Sequence, residues 1–180
     1  MHRVILWRMI DTSSAKAKAF WPVLVLVYVA DFISKRLAVM ELSPAHVPHR
    51  VIGDFFRFTL AYNQDAAMGL SLGDYSRVGF ALTAAVVLVI LGAVYAKTPT
   101  NAKASATALA LIAAGALGNL TDRLTSSMGV VDFIDVGFGD SRFYTFNVAD
   151  SAITCGAILL AVLSMKSTPE TETENRPSSI

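Results

Sequence analysis

The stretch VGFALTAAVVLVILGAVYA, Val78 to Ala96, runs for 19 residues without a charge. At 1.5 Å per helical residue it covers most of a hydrocarbon core about 30 Å thick, and it predicts a membrane-spanning helix. A second uncharged run, Ala104 to Thr121, is rich in Ala and Gly, as membrane helices are where neighbouring backbones come close. The short link Lys97 to Lys103 makes a hairpin of the two. A third apolar run, Ser151 to Met165, reaches spanning length only if its helix begins near Asn147 and therefore includes Asp150. The first run, Ala19 to Ala30, meets Asp31, Ser34, Lys35 and Arg36 before apolar character resumes at Leu37. A span there carries Asp31 near one end, and a charge in lipid calls for a partner or a function.

The composition, 54% hydrophobic and 16% charged over 180 residues with a mean hydropathy of +0.53, is too apolar for a typical soluble domain. The expected architecture is an all-α membrane bundle of four transmembrane helices, about 19–40, 76–97, 103–122 and 147–166, together forming one domain, 19–166. A small extracytoplasmic β-sheet and loop region comes from about 41–75 and 123–146. Within it, Val51 to Asn63 places Phe56, Phe58, Leu60 and Tyr62 at alternate positions, the period of a half-buried strand. Met128 to Phe146 offers further short strands or a loop on the membrane surface. Residues 1–18 form a basic leader, and the Tyr28, Val29, Ala30 sequence before Asp31 lacks a small-x-small cleavage pattern, so the first run is read as helix one. Residues 167–180 are Thr, Glu, Pro and Ser without periodicity, expected to be a disordered cytoplasmic tail. With a net charge of +1 and no basic stripe there is no reason to expect a nucleic-acid partner. The single cysteine, Cys155, reads as a small apolar helix residue.

Four spans place both termini on one side and the two long loops on the other. Asp31, Asn119, Asp122, Asn147 and Asp150 lie at helix ends facing those loops, and Asn63, Asp132 and Asp135 lie in the loops themselves. Counting spans therefore brings all of them to one membrane face. Basic residues divide as eight on the terminal side and seven on the other, nearly a tie. The leader with Arg3, Arg8, Lys16 and Lys18 and the short hairpin favour cytoplasmic termini, which puts the acidic cluster on the extracytoplasmic side.

Two carboxylates held close share a proton, so one serves as acid and one as base in activating a water against a peptide carbonyl. No Ser, His and Asp set competes, and the histidines, His2, His46 and His49, are absent from the helix ends, which disfavours a metal centre. Asp122 precedes Arg123, and Asp31 has Lys35 one turn later; both look like paired, ionised supports. Asp150 has no basic neighbour within a turn, and Asp132 lies between Val131 and Phe133, where desolvation raises a carboxyl pKa. Asp132 and Asp150 are the preferred pair, with Asp135 and Asp122 left open as members. A proton-relay transporter would instead carry its polar residues at mid-depth, and a noncatalytic scaffold would use them as ion pairs to Lys35 and Arg123.

The motifs Asp31-Phe-Ile-Ser-Lys35, Asn63 with Ala66-Ala67, Gly115-Ala-Leu-Gly-Asn119-Leu-Thr-Asp122-Arg123, Val131-Asp132-Phe133-Ile134 and Phe146-Asn147-Val-Ala-Asp150-Ser151 resemble lipoprotein signal peptidase, the bacterial signal peptidase II family, in the family's order over about residues 20 to 165. The resemblance implies an inner-membrane aspartyl endopeptidase without metal or cofactor, with its site near the extracytoplasmic face. It acts on diacylglyceryl-modified prolipoproteins in membrane lipid, cutting just before the lipid-bearing cysteine, and is expected to work as a monomer. Carried over by motif, Asp132 and Asp150 match the catalytic pair, and Asp31, Lys35, Asn63, Asn119, Asp122, Arg123 and Asn147 match the surrounding support and substrate residues. Asn119 and Asn147 are expected to orient carboxylates and Arg123 to contact substrate or backbone carbonyls. The chain departs from the family pattern at Asp65, Met68, Ala114 and Thr121. The small residues of helix three suit either a lipid groove or close helix packing.

Overall fold

Ser14 opens the first helix: from an extended backbone its side-chain oxygen accepts the Ala17 amide at 3.3 Å, satisfying one of the free N–H groups of the first turn. In the computed structural model, which describes residues 13–64 and 73–166, this helix, α1 (Ala15–Glu41), runs for 27 residues, about 40 Å. It ends where the Leu42 amide returns to Ala38 and Pro44 follows without an amide hydrogen to continue the ladder. Two strands come next, β1 (Pro48–Ile52) and β2 (Phe56–Asn63). The expected single stretch from Val51 is therefore split, because Gly53 takes a φ of +52° and reverses the chain between them. A short 3-10 turn, Gly73–Tyr75, leads into α2 (Ser76–Lys97), α3 (Lys103–Thr125), β3 (Val130–Phe138), β4 (Ser141–Arg142) and α4 (Val148–Lys166). The second loop supplies strands, and the sheet runs β1-β2-β3-β4 with every pair antiparallel.

α3 is the centre of the helical part and packs against α1, α2 and α4. Its small residues let those neighbours in. A Cβ at Gly115 would collide with the Ala149 carbonyl of α4, and one at Gly156 of α4 would stand 2.8 Å from the Ala108 carbonyl of α3. Close packing thus accounts for the small residues along this contact. One apolar cluster, around Phe20, Tyr95, Leu109 and Ala113, joins α1, α2 and α3. A second, Ala38, Leu60, Val131 and Phe133, seats the sheet on the end of α1.

The outward faces are apolar: Leu26 of α1 is 72% exposed and Val89 of α2 is 73%, with Ile33, Leu82, Ile90, Ile158 and Val162 exposed beside them. Exposed apolar side chains in this number on the helices mark contact with lipid or protein. By length and composition, three described helices, α2, α3 and α4, can cross a membrane. α1 is long enough, but it carries Asp31 and Lys35, both turned inward and buried. Helix limits differ from the expected ones by a few residues: α1 begins earlier, α3 reaches Thr125, and α4 starts one residue after Asn147. His46, His49 and Cys155 are exposed, Cys155 on the outer side of α4. Arg3, Arg8, the departures at Asp65 and Met68, and the tail 167–180 lie outside the described residues.

Candidate active site

The start of α4 builds the first half of the site. Asn147 stands just before the helix and accepts the Asp150 amide on Oδ1 at 2.9 Å, while Asp150 Oδ2 accepts the Asn147 amide at 3.2 Å. This reciprocal cap satisfies two free N–H groups and fixes Asp150 in the first turn, at the positive end of the helix dipole. The other Asp150 oxygen, Oδ1, accepts Asn119 Nδ2 at 2.8 Å.

β3 supplies the second half. Strand alternation sends Val131 and Phe133 into the apolar cluster and Asp132 to the opposite face. There Asp132 Oδ1 accepts Asn147 Nδ2 at 2.7 Å and Oδ2 accepts Asn63 Nδ2 at 3.2 Å. Asn63 comes from the paired strand, two positions from Ala61, which faces Asp132. Asn147 therefore touches both Asp132 and Asp150, and its amide also reaches Asn119 Oδ1 and the Val131 carbonyl, each at 3.2 Å.

Behind the pair stands Lys35. Its Nζ contacts Asp31 Oδ2, Asp122 Oδ2 and Asn119 Oδ1, each at 2.9 Å, which uses all three ammonium donors. Asp31, 1% exposed, also accepts the Ala149 amide at 2.9 Å, and Asp122 accepts the Val131 amide at 3.2 Å. One buried cation thus joins α1, α3, the start of β3 and the start of α4. The expectation of a paired Asp31 holds. Asp122 is paired as well, but to Lys35 on another helix; chain neighbours such as Asp122 and Arg123 point to different sides of a helix.

Burial, with the Asp150 charge second, pushes the Asp132 carboxyl up to about 7, against the pull of Asn63, Asn147 and Lys35 toward ionisation. A carboxyl that holds its proton near neutrality beside a second carboxylate is the arrangement needed to give a proton and take one. Asp135 is not part of this group. Burial opposes its ionisation, yet hydrogen bonds from Arg142, Thr59 and Arg57 outweigh that and hold it below its ordinary value. It ties β2 to β4, next to Asp54, whose carboxyl is lowered by the Gly139 amide and nearby arginines. Asp132 and Asp135 are three residues apart on one strand, so alternation alone separates them.

The structure brings together Asp31, Lys35, Asn63, Asn119, Asp122, Asp132, Asn147 and Asp150. Arg123 lies at their edge: Nη1 donates to the Asn119 carbonyl at 3.3 Å, and Asp150, Asp132 and Asp122 act on its charge. Thr121, a departure from the family pattern, bonds Leu117 O at 2.8 Å and lies 3.3 Å from Tyr28 of α1. Sequence reading passed over Arg77, which reaches the end of α3 from α2; its one signal was a lone charge at the edge of an uncharged run.

The chain matches the family model described as Signal peptidase (SPase) II over residues 23–166. It is 42% identical over 152 residues to the lipoprotein signal peptidase of Coxiella burnetii, covering 82% of this chain and 91% of that one. To the lipoprotein signal peptidase of Streptomyces coelicolor it is 38% identical over 152 residues, 84% of this chain and 72% of that one. Its fold is similar to a bacterial membrane enzyme solved by the in meso method at 2.3 Å, with a TM-score of 0.73, 30% identity and coverage of 86% of this chain and 92% of that one. A likeness that extends over most of the sequence and to the overall fold leads to one assignment: the chain belongs to the signal peptidase II family, a family of membrane peptidases.

Proposed function

We propose that this chain is a membrane aspartyl endopeptidase that removes the signal peptide from diacylglyceryl-modified prolipoproteins, cutting just before the lipid-bearing cysteine. The observation that carries the reading is Asn147, whose side chain donates to the Asp132 carboxylate while its main-chain amide donates to that of Asp150, with Asp132 raised to about 7. Asp150 takes a proton from a water as its oxygen bonds to the scissile carbonyl carbon, and Asp132 gives its proton to the carbonyl oxygen. Collapse of the resulting gem-diol returns a hydroxyl proton to Asp132 and breaks the C–N bond, with Asp150 protonating the leaving amine. Asn63, Asn119 and Asn147 hold the carboxylates, Asp31, Lys35 and Asp122 support that frame, and Arg123 meets a substrate carbonyl.

In this reading α1 is a fourth span, with exposed Val25, Leu26, Val29 and Ile33 toward lipid and Asp31 and Lys35 inward. The domain 19–166 lies in the bacterial cytoplasmic membrane with both termini cytoplasmic. The sheet and the carboxylates then sit near the extracytoplasmic face, at the depth where a lipid-anchored peptide leaves the bilayer. The enzyme works as a monomer and without a metal. Cleavage of a diacylglyceryl prolipoprotein by purified protein in detergent tests this. Asp132→Asn and Asp150→Asn are each expected to lose at least about 10²-fold in turnover. A folded variant with near-normal turnover refutes the pair, loss of wild-type activity on chelation refutes the metal-free mechanism, and equal rates with unlipidated substrate refute the substrate class.

A further inference from the structure

A helix ends with carbonyls that have no partner of their own. At the end of α3 the Ser126 amide returns to the Asp122 carbonyl at 2.8 Å. The next two carbonyls are met from another helix: Arg77 of α2 donates Nε to Arg123 O at 2.6 Å and Nη2 to Leu124 O at 3.4 Å. A guanidinium suits this place, since it brings a cation to the negative end of the dipole and two donors in a fixed fork. One turn along the same face of α2, the Phe80 ring lies 5.9 Å from the Arg123 guanidinium carbon. Arg123 is therefore held at its main chain by Arg77, at its side chain by Phe80, and at Nη1 by Asn119 O. Among the described residues, the buried ones of α2 are Ser76 beside this turn and Tyr95 at the far end.

We propose that Arg77 and Phe80 are positioning residues of the peptidase, a clamp from the first turn of α2 that fixes Arg123 at the edge of the Asp132–Asp150 pair for contact with the substrate carbonyl. This rests on the role given to Arg123 above. The clamp acts on turnover through the Arg123 side chain, so its loss should lower the rate only while that side chain is present.

The test is a double-mutant cycle on kcat/KM for a diacylglyceryl prolipoprotein in detergent, with thermal unfolding of each variant recorded beside it. Arg77→Ala is expected to lower kcat/KM roughly tenfold, mostly in kcat, and Arg77→Lys less, since it restores one donor but not the fork. In an Arg123→Ala background, adding Arg77→Ala should change the rate by no more than about twofold. A double variant that loses the full product of the single losses overturns the clamp and leaves Arg77 a general support. Wild-type rates for Arg77→Ala beside an inactive Arg123→Ala overturn the clamp while sparing the role of Arg123. A wild-type rate for Arg123→Ala overturns both. Should Arg77→Ala fail to fold, Phe80→Leu, which removes no charge, carries the same cycle with the same outcomes.

Discussion

Replacing Asn63 by Ala probes the acid of the proposed pair through its pH profile. Asp132 holds its proton up to about 7, because burial and then the Asp150 charge outweigh the donors Asn63 and Asn147 and the more distant charge of Lys35. If the protonated form works, kcat/KM falls as pH rises through about 7. Asn63 donates at 3.2 Å, the long end of the hydrogen-bond range, against 2.7 Å for Asn147. A bond to a charged acceptor contributes ~1.5–3 kcal/mol, and the long distance places this one at the lower figure. Losing it disfavours the carboxylate by ~1.5 kcal/mol, which raises the pKa by about one unit. The alkaline limb should move from near 7 to about 8, while Asn147 keeps the carboxyl in place. Initial rates on a lipidated prolipoprotein between about pH 5 and 9 give the midpoint. A limb that stays put, or moves toward acid, in an active Asn63→Ala enzyme refutes the assignment of that limb to Asp132.

Lys35→Met should lower stability by ~3–5 kcal/mol, since it strands the buried Asp31 and the partly buried Asp122 without their cation. Denaturant unfolding in micelles measures this, and adding Asp31→Asn should recover part of the loss. Gly118→Ala puts a methyl group against Asp31, which is pinned by Lys35 and the Ala149 amide, and should destabilise by ~1–3 kcal/mol in the same assay. Asp132→Asn should abolish turnover, and its effect on stability should become more favourable between about pH 5 and 8. The raised carboxyl contributes stability that is complete below its ordinary value of 3.8 and lost as pH rises through about 7, so the amide removes a loss felt above that window. Unfolding midpoints at about pH 5 and 8 should show this change.

The spans were legible because lipid thickness sets the length of Val78 to Ala96 and Ala104 to Thr121. The meeting of Asp31, Asn119, Asn147 and Asp150 was expected from the parity of four spans, of which three described helices have the length and composition, and the Asp31–Lys35 pair from helical spacing. Strand alternation could also have removed Asp135 from the list of partners. Other features depend on packing between distant segments. Nothing near Asp122 indicates that its ion partner is Lys35 of α1, and nothing near Arg77 indicates carbonyls of α3. The break at Gly53 was hidden because the aromatic alternation beyond it is unbroken in the sequence, while the reversal depends on one positive φ.

The separation of Lys35 from the carboxylate pair bears on why the site is built with amides. A cation in direct contact with Asp132 or Asp150 would favour ionisation of both, and the shared proton that acid and base catalysis needs near neutrality would be lost. A bundle that buries carboxylates nevertheless needs a buried cation to hold its helices together. The structure meets both demands by interposing Asn119 and Asn147. Asn119 accepts Lys35 and Asn147 on its oxygen and passes a neutral N–H to Asp150; Asn147 passes one to Asp132. Each amide transmits position without transmitting a full charge. The oxygen of Asn119 is committed to Lys35 and its nitrogen to Asp150, so an isosteric carboxylate there would place a third negative group against Asp150, and a Leu would leave Lys35 with one donor unmet. An amide offers an acceptor on one side and a donor on the other with no proton to lose beside the lysine, which explains why the residues between the cation and the pair are asparagines.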